Sequence, residues 1–270
     1  MDESFAAPQD KTMPESALEY CALQVRTFDP DRYLIAIAAA KEFRPALFAL
    51  YAFNLEISKT RETVSEPMLG RIRLQWWREA IEGIYQGTPG NHEVVQALAF
   101  VIQNYGLTRQ YFEEMIDGRE FDLEDRAPND ISELIQYAQQ TSGCLLQLNA
   151  EVLNSDRNSA DAVGIAWALI GLMKSIEFHR GQQRCYLPGI PVPLIGSEKA
   201  VRVFADILEA AAQHLNQNSQ QLEGALRLYH WIVLYDLKQL LKIKEAPFDS
   251  RPTNKAWRHC RIVIASLLRR

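Results

Sequence analysis

The stretch Gly164–Pro188, GIAWALIGLMKSIEFHRGQQRCYLP, decides the fold. From Gly164 to Met173 it carries no charged residue and is apolar almost all round. A helix apolar on every side is a buried helix. Lys174, Ser175, Glu177, His179 and Arg180 then follow in quick succession, and Gly181 breaks the pattern. A polar cluster running on from a buried helix must meet a partner, water or a ligand, because an unpaired buried charge is costly. The stretch therefore predicts a central helix over 159–180 with a candidate site at its far end. The plainer reading is a helix that simply surfaces there.

A second stretch repeats the pattern. After Arg44-Pro45, residues Ala46–Phe53 are all apolar, and the far end carries Glu56, Lys59, Arg61 and Glu62. The two helices, 44–64 and 159–180, are expected to pack together at the centre. Leu50, Phe53, Trp167 and Ile170 would be buried between them.

The flanking segments also look helical. Asp29-Pro30 supplies an N-cap and a proline at the first helical position. Ser65-Glu66-Pro67 caps a helix whose positions Met68, Ile72, Trp76 and Ile84 suggest one apolar face. Asn91 opens a helix ending at Gly106, and an acidic helix follows Thr108. Asp130 and Glu133 form a capping box for the segment ISELIQYAQQTSGCLLQLNAEVLN. Asn158 or Ser159 caps the central helix. Pro188, Pro191 and Pro193 mark a rigid loop, and helices follow from Ser197 to about His214 and from about Ser219 to Lys244. No stretch alternates like a strand, and no 20–50-residue repeat is present. The expectation is an all-α, single-domain bundle of about ten helices, with residues 1–17 a disordered lead-in and 18–270 the domain.

The 270 residues are 47% hydrophobic and 23% charged, with a formal net charge of −5. That balance suits a soluble core and argues against nucleic acid as the main partner. The apolar runs fall short of the ~18 residues of a spanning helix. The N-terminus, MDESFAAPQDKTMPESA, resembles neither a secretory signal nor a transit peptide. Cys21, Cys144, Cys185 and Cys260 form no CxxC, so a reducing cytoplasm is the expected compartment and no cofactor is expected. Gly-rich phosphate loops, GxSxG and HExxH are missing. His179 lies in the focal stretch. His92, His214, His230 and His259 are scattered and read as structural.

The order of several blocks resembles the squalene/phytoene synthase family. These are ALYAF (Ala49–Phe53), WWREAIEGIYQGTPGNHEVVQAL (Trp76–Leu98), IDGREFDL (Ile116–Leu123) and QYAQQTSG (Gln136–Gly143), then a turn at Gly171 followed by CYLP (Cys185–Pro188). The resemblance implies an isoprenoid-synthase-like helical bundle. It also implies two aspartate-rich motifs whose Mg²⁺ neutralises a diphosphate leaving group. The first motif would begin at Ser58, where the chain reads Ser58-Lys59-Thr60-Arg61-Glu62. The second would lie between Gly171 and Tyr186, an interval without aspartate and with Glu177 as its single acid. A site of this sign repels Mg²⁺.

The stretches Phe53–Glu66, Arg73–Tyr85 and Phe178–Pro188 are similar to a subgroup that lacks those aspartates and includes a mitochondrial respiratory complex I assembly factor. The resemblance implies a role in assembling NADH:quinone oxidoreductase, with complex I subunits as partners, and the acidic N-terminus favours a bacterial relative over an imported mitochondrial one. An active prenyltransferase and an isoprenoid- or lipid-binding protein stay open beside it. Candidate residues of the degenerate pocket are Tyr51, Glu56, Lys59, Glu62, Arg78, Asp117, Asp122, Lys174, Glu177, His179 and Arg180, with no metal ligand among them. Internal pairs Glu56–Lys59 and Lys174–Glu177, each at i,i+3 spacing, compete with an anionic ligand for the basic rim of Lys59, Lys174 and Arg180.

Residues Thr253–Arg270 carry Lys255, Arg258, Arg261, Arg269 and Arg270 and no acid. Trp257, Cys260, Ile264, Leu267 and Leu268 share one helical face. Such a helix either docks on the domain or lies peripherally on an anionic membrane.

Overall fold

The structure, a computed structural model, describes residues 13–216, 222 and 224–248. All regular structure among them is helical. The first half holds α1 (Glu15–Phe28), α2 (Pro30–Ala38), α3 (Arg44–Ser58), α4 (Thr60–Thr63), α5 (Pro67–Tyr85), α6 (Glu93–Tyr105) and α7 (Arg109–Gly118). The second holds α8 (Ile131–Ala138), α9 (Cys144–Leu153), α10 (Arg157–Lys174), α11 (Ile176–Gly181), α12 (Glu198–Asn216) and α13 (Gly224–Lys242). The expected helix at 253–270 lies outside the described residues.

The thirteen α-helices among the described residues exceed the expected ten for two reasons. The helix α1 begins at Glu15, inside the span read as a lead-in. Its buried Ala17, Cys21 and Val25 recur at i, i+4 and i+8, a stripe short enough to be lost in the polar sequence around it. Both long helices also break. The α3 helix stops at Ser58, whose hydroxyl donates to Leu55 O at 3.1 Å, and such local bonds compete with the helical ladder. The α10 helix stops at Lys174 and α11 restarts beyond Ser175. Gly171, read as a turn, lies within α10.

Caps at the helix starts follow the sequence closely. The Asp29 carboxylate accepts from Arg32 N at 3.1 Å, with Pro30 at the first position of α2. Asp130 accepts from Glu133 N at 2.9 Å, but Glu133 reaches back to Asn129 N and not to Asp130 N. The N-cap of α10 is Asp156, which accepts from Ser159 N at 2.7 Å, in place of the expected Asn158 or Ser159. A carboxylate beside the positive end of a helix is favoured there.

The helices α3 and α10 do not form the expected direct central pair. The α9 helix packs against both. Around α3 lie α1, α2 and α6, and around α10 lie α8, α12 and α13. Leu50, Phe53 and Ile170 are buried, and Trp167 is half-buried. The α10 helix approaches α9 through a π-turn at Gln139–Gly143. A Cβ on Gly164 would collide with the Ser142 carbonyl oxygen and Gly143 Cα. Glycine is therefore what lets these backbones meet.

The inward face of α5 is not the expected one. Gly70, Leu74, Trp77, Ile81 and Ile84 are buried, whereas Met68, Ile72 and Trp76 face outward. Gly70 sets this rotation, because Leu123 occupies the place where its Cβ would be. Trp77 then meets Phe53 edge-on with ring centroids 5.3 Å apart.

Candidate functional site

The ends of α3 and α10, with the loops they face, carry the candidate residues. At the centre is the buried carboxylate of Asp122, in the turn Phe121–Leu123. Tyr186 OH donates to it at 2.6 Å and Tyr137 OH at 3.0 Å, and Arg119 Nη1 lies at 3.3 Å. Arg119 also donates to Tyr137 OH at 2.8 Å and to Asn54 Oδ1 at 3.5 Å. Burial, followed by the Asp122 charge, pushes the Tyr186 phenol well above its usual range, so the phenol stays a proton donor to that carboxylate.

The His179 ring packs edge-on against Tyr186 at 4.8 Å. Burial pushes its imidazole down to about 4, the Asp122 charge opposing and the Arg184 charge adding to the depression. The ring is therefore neutral at physiological pH. Beside this cluster, Asp125 accepts two Arg61 guanidinium bonds at 3.0 Å, and Arg184 Nε lies 3.9 Å away.

A second buried polar knot occupies the space between α3 and α10. Tyr51 OH accepts from Asn149 Nδ2 at 3.0 Å. The Arg32 guanidinium lies 5.1 Å from the Trp167 ring centroid and holds Asp29 at 2.7 Å. Tyr229 meets the same indole at 4.7 Å. Five helices thus meet through polar side chains in this region.

The remaining candidates are placed elsewhere. Arg73 engages Glu56 at 2.6 Å, and Lys59 lies over the Phe28 ring at 3.1 Å instead of pairing with Glu56. Burial lowers the Lys59 ammonium, Glu56 and Glu62 partly opposing. Lys174 reaches Asp236 at 2.6 Å, not Glu177, which pairs with Arg180 at 3.0 Å. The breaks after α3 and α10 turn these groups toward different neighbours, which i,i+3 spacing does not foresee. Glu62 is exposed. Arg78 engages Asp117 at 2.7 Å and Glu120 at 3.1 Å across α5 and α7. Of the candidates, Arg78 pairs with Asp117 and Glu177 with Arg180, while Asp122 and His179 share Tyr186 as a neighbour. Arg119, Tyr137 and Tyr186 were passed over, although each sits in a quoted block and Arg119 stands three residues before Asp122.

These residues do not fit a magnesium site. Hard cations need several converging oxygen ligands. Glu56 and Glu177 are engaged by arginines, and Asp122 is already held by two phenols and a guanidinium. No cluster of three or more His, Cys, Asp or Glu side chains with metal-binding geometry occurs among the described residues.

The model of the squalene/phytoene synthase family matches residues 25–258. The chain belongs to the squalene/phytoene synthase family. It is 32% identical over 173 residues to "NADH dehydrogenase (ubiquinone) complex I, assembly factor 6" of Bos taurus, covering 63% of this chain and 52% of that protein. It is 26% identical over 183 residues to the chloroplastic phytoene synthase 1 of Solanum lycopersicum, covering 63% of this chain and 42% of that one. The chain thus spans about half the length of the curated relatives it matches. The crystal structure of squalene synthase HpnC from Alicyclobacillus acidocaldarius superposes with a TM-score of 0.77 at 17% identity, covering 86% of this chain and 96% of that one. The all-α synthase fold is therefore shared.

Proposed function

We propose that this chain is a non-catalytic family member that takes part in assembling respiratory NADH:quinone oxidoreductase. The observation that carries the reading is the state of the carboxylates. Glu56, Glu177 and Asp122 are held by arginines and phenols and Glu62 is exposed, and no group of three or more acids among the described residues converges on a shared point where Mg²⁺ would sit. Diphosphate departure would lack its electrostatic stabilisation. The similarity to the bovine assembly factor, higher than that to the plant synthase, supports the same reading.

In this reading the partners are subunits of complex I, and the protein works in a bacterial cytoplasm with peripheral access to an anionic or isoprenoid lipid through 253–270. No described helix is long and apolar enough to cross a membrane. The test is a deletion in the source organism. Membranes should lose NADH:quinone reductase activity and intact complex I on native gels, succinate oxidation should persist, and the wild-type gene should restore the complex. Unchanged complex I in the deletion would overturn the proposal.

A further inference from the structure

The outward face of α5 is unusual for a surface helix. Met68, Leu69, Ile72 and Trp76 are 62%, 47%, 60% and 44% exposed. They recur at i, i+1, i+4 and i+8, a stripe about 12 Å long at 1.5 Å per residue. Ile72 and Trp76 also line a shallow depression of about 380 Å³ with Arg71, Gln75 and Glu79. Single exposed apolar residues are ordinary, but a contiguous patch marks an interaction surface.

The charges around the stripe say what fits it. Each arginine of α5 is engaged by a carboxylate of another element. Arg71 meets Glu120 at 3.8 Å, Arg73 meets Glu56 at 2.6 Å, and Arg78 meets Asp117 and Glu120. The acids of α5 are not neutralised in this way. Among the described residues, Glu79 and Glu82 accept from the neutral amides of Gln75 and Gln86 and form no ion pair within 4 Å, although the Glu82 charge acts on Arg109, and the N-cap Glu66 makes no capping bond. An apolar stripe whose bordering acids, Glu66, Glu79 and Glu82, form no ion pair among the described residues is complementary to an apolar stripe with a cationic border, and those acids are repelled by an anionic bilayer.

We propose that the outer face of α5 docks an amphipathic helix of a partner protein whose apolar side is bordered by lysines and arginines. Such a helix lays its i, i+3, i+4 and i+7 side chains along Met68, Ile72 and Trp76 while its cations meet Glu79 and Glu82. This goes beyond the assembly reading and does not depend on it.

The probe is a labelled synthetic helix of leucine and lysine, about 18 residues long, enough to form several helical turns. Its anisotropy is titrated with the full-length protein at low and high salt. Controls are a scrambled peptide of the same composition, a leucine/glutamate helix, and vesicles of neutral and of anionic lipid. The amphipathic basic helix should bind, more weakly at high salt. Ile72→Glu and Glu79→Lys/Glu82→Lys should each weaken it by roughly tenfold, about 1.4 kcal/mol. Should a variant fail to fold, hydroxyl-radical footprinting of the wild type should still show the peptide protecting Met68 and Trp76. Equal binding of the scrambled peptide, indifference to both variants, or absent protection at Trp76 would overturn the proposal. Vesicle binding that needs Ile72 while the peptide does not bind would also overturn it, and would identify a membrane surface instead.

Discussion

Lys174 Nζ lies 2.6 Å from Oδ2 of the buried Asp236, joining the end of α10 to the middle of α13. In the family resemblance, this end of α10 is where an acid would help to hold Mg²⁺. Here the Lys174 cation neutralises a carboxylate of the neighbouring helix. Removing one partner of a buried pair costs far more than replacing both. Lys174 is part-exposed, so Lys174→Met should lower stability by roughly 1–3 kcal/mol. Lys174→Met/Asp236→Leu should recover part of the loss. Urea unfolding of the four proteins gives the coupling energy, and additive effects would mean that the pair is not energetically joined.

Asp122 is the hub of the cluster with Tyr137, Tyr186 and Arg119. Asp122→Ala leaves Arg119 buried without its counter-charge and frees two phenols. The expected loss is about 3–5 kcal/mol. Tyr186→Phe removes one hydroxyl donor and should cost only about 1 kcal/mol. Thermal or urea unfolding would rank the two, and an equal effect would show that the carboxylate is not the hub.

His179 makes stability depend on pH. Its folded value of about 4 lies below the ordinary 6.5, so the unfolded chain binds the proton more readily between these values. The neutral ring's contribution is complete above about pH 6.5 and is lost as pH falls toward about 4. Allowing for partial exposure, the wild type should lose about 1–2 kcal/mol between pH 7 and 5 from this group. His179→Gln should lose less over the same interval. Urea midpoints at both pH values provide the comparison, and parallel losses would contradict the assignment.

Gly164→Ala tests the contact between α10 and the π-turn. In an open helix this change gains up to about 1 kcal/mol. Here the new methyl group would meet backbone atoms of Ser142 and Gly143, which cannot swing aside. The sign should reverse, with a loss of roughly 1–3 kcal/mol. A melting temperature equal to or above that of the wild type would show that the helices can separate at small cost.

The carboxylate arrangement also predicts the outcome of a direct assay. The purified protein should not convert farnesyl or geranylgeranyl diphosphate to a C30 or C40 product, with or without Mg²⁺. Lys59→Asp and Lys174→Asp should not create that activity, because a single new acid does not rebuild a site needing several converging ligands. Mg²⁺-dependent diphosphate release at enzyme-like rates would refute the non-catalytic reading.

The sequence by itself determined the helical class, the family and the missing aspartates. Buried helices show as uninterrupted apolar runs in α3 and α10, caps such as Asp29 and Asp130 act within three residues, and motif positions keep their order along the chain. These are local properties, so they can be read locally. The tertiary structure alone decided which side chains meet. Lys59 and Lys174 have acids at i,i+3, yet they end on Phe28 and Asp236 because each helix breaks beside them and a long side chain follows its nearest neighbour in space. Asp122 and Tyr186 stand 64 positions apart and share one hydrogen bond. The face of α5 was likewise undecidable from periodicity, since both sides carry apolar residues. Leu123 against Gly70 turns Trp77 into the core and leaves Trp76 outside.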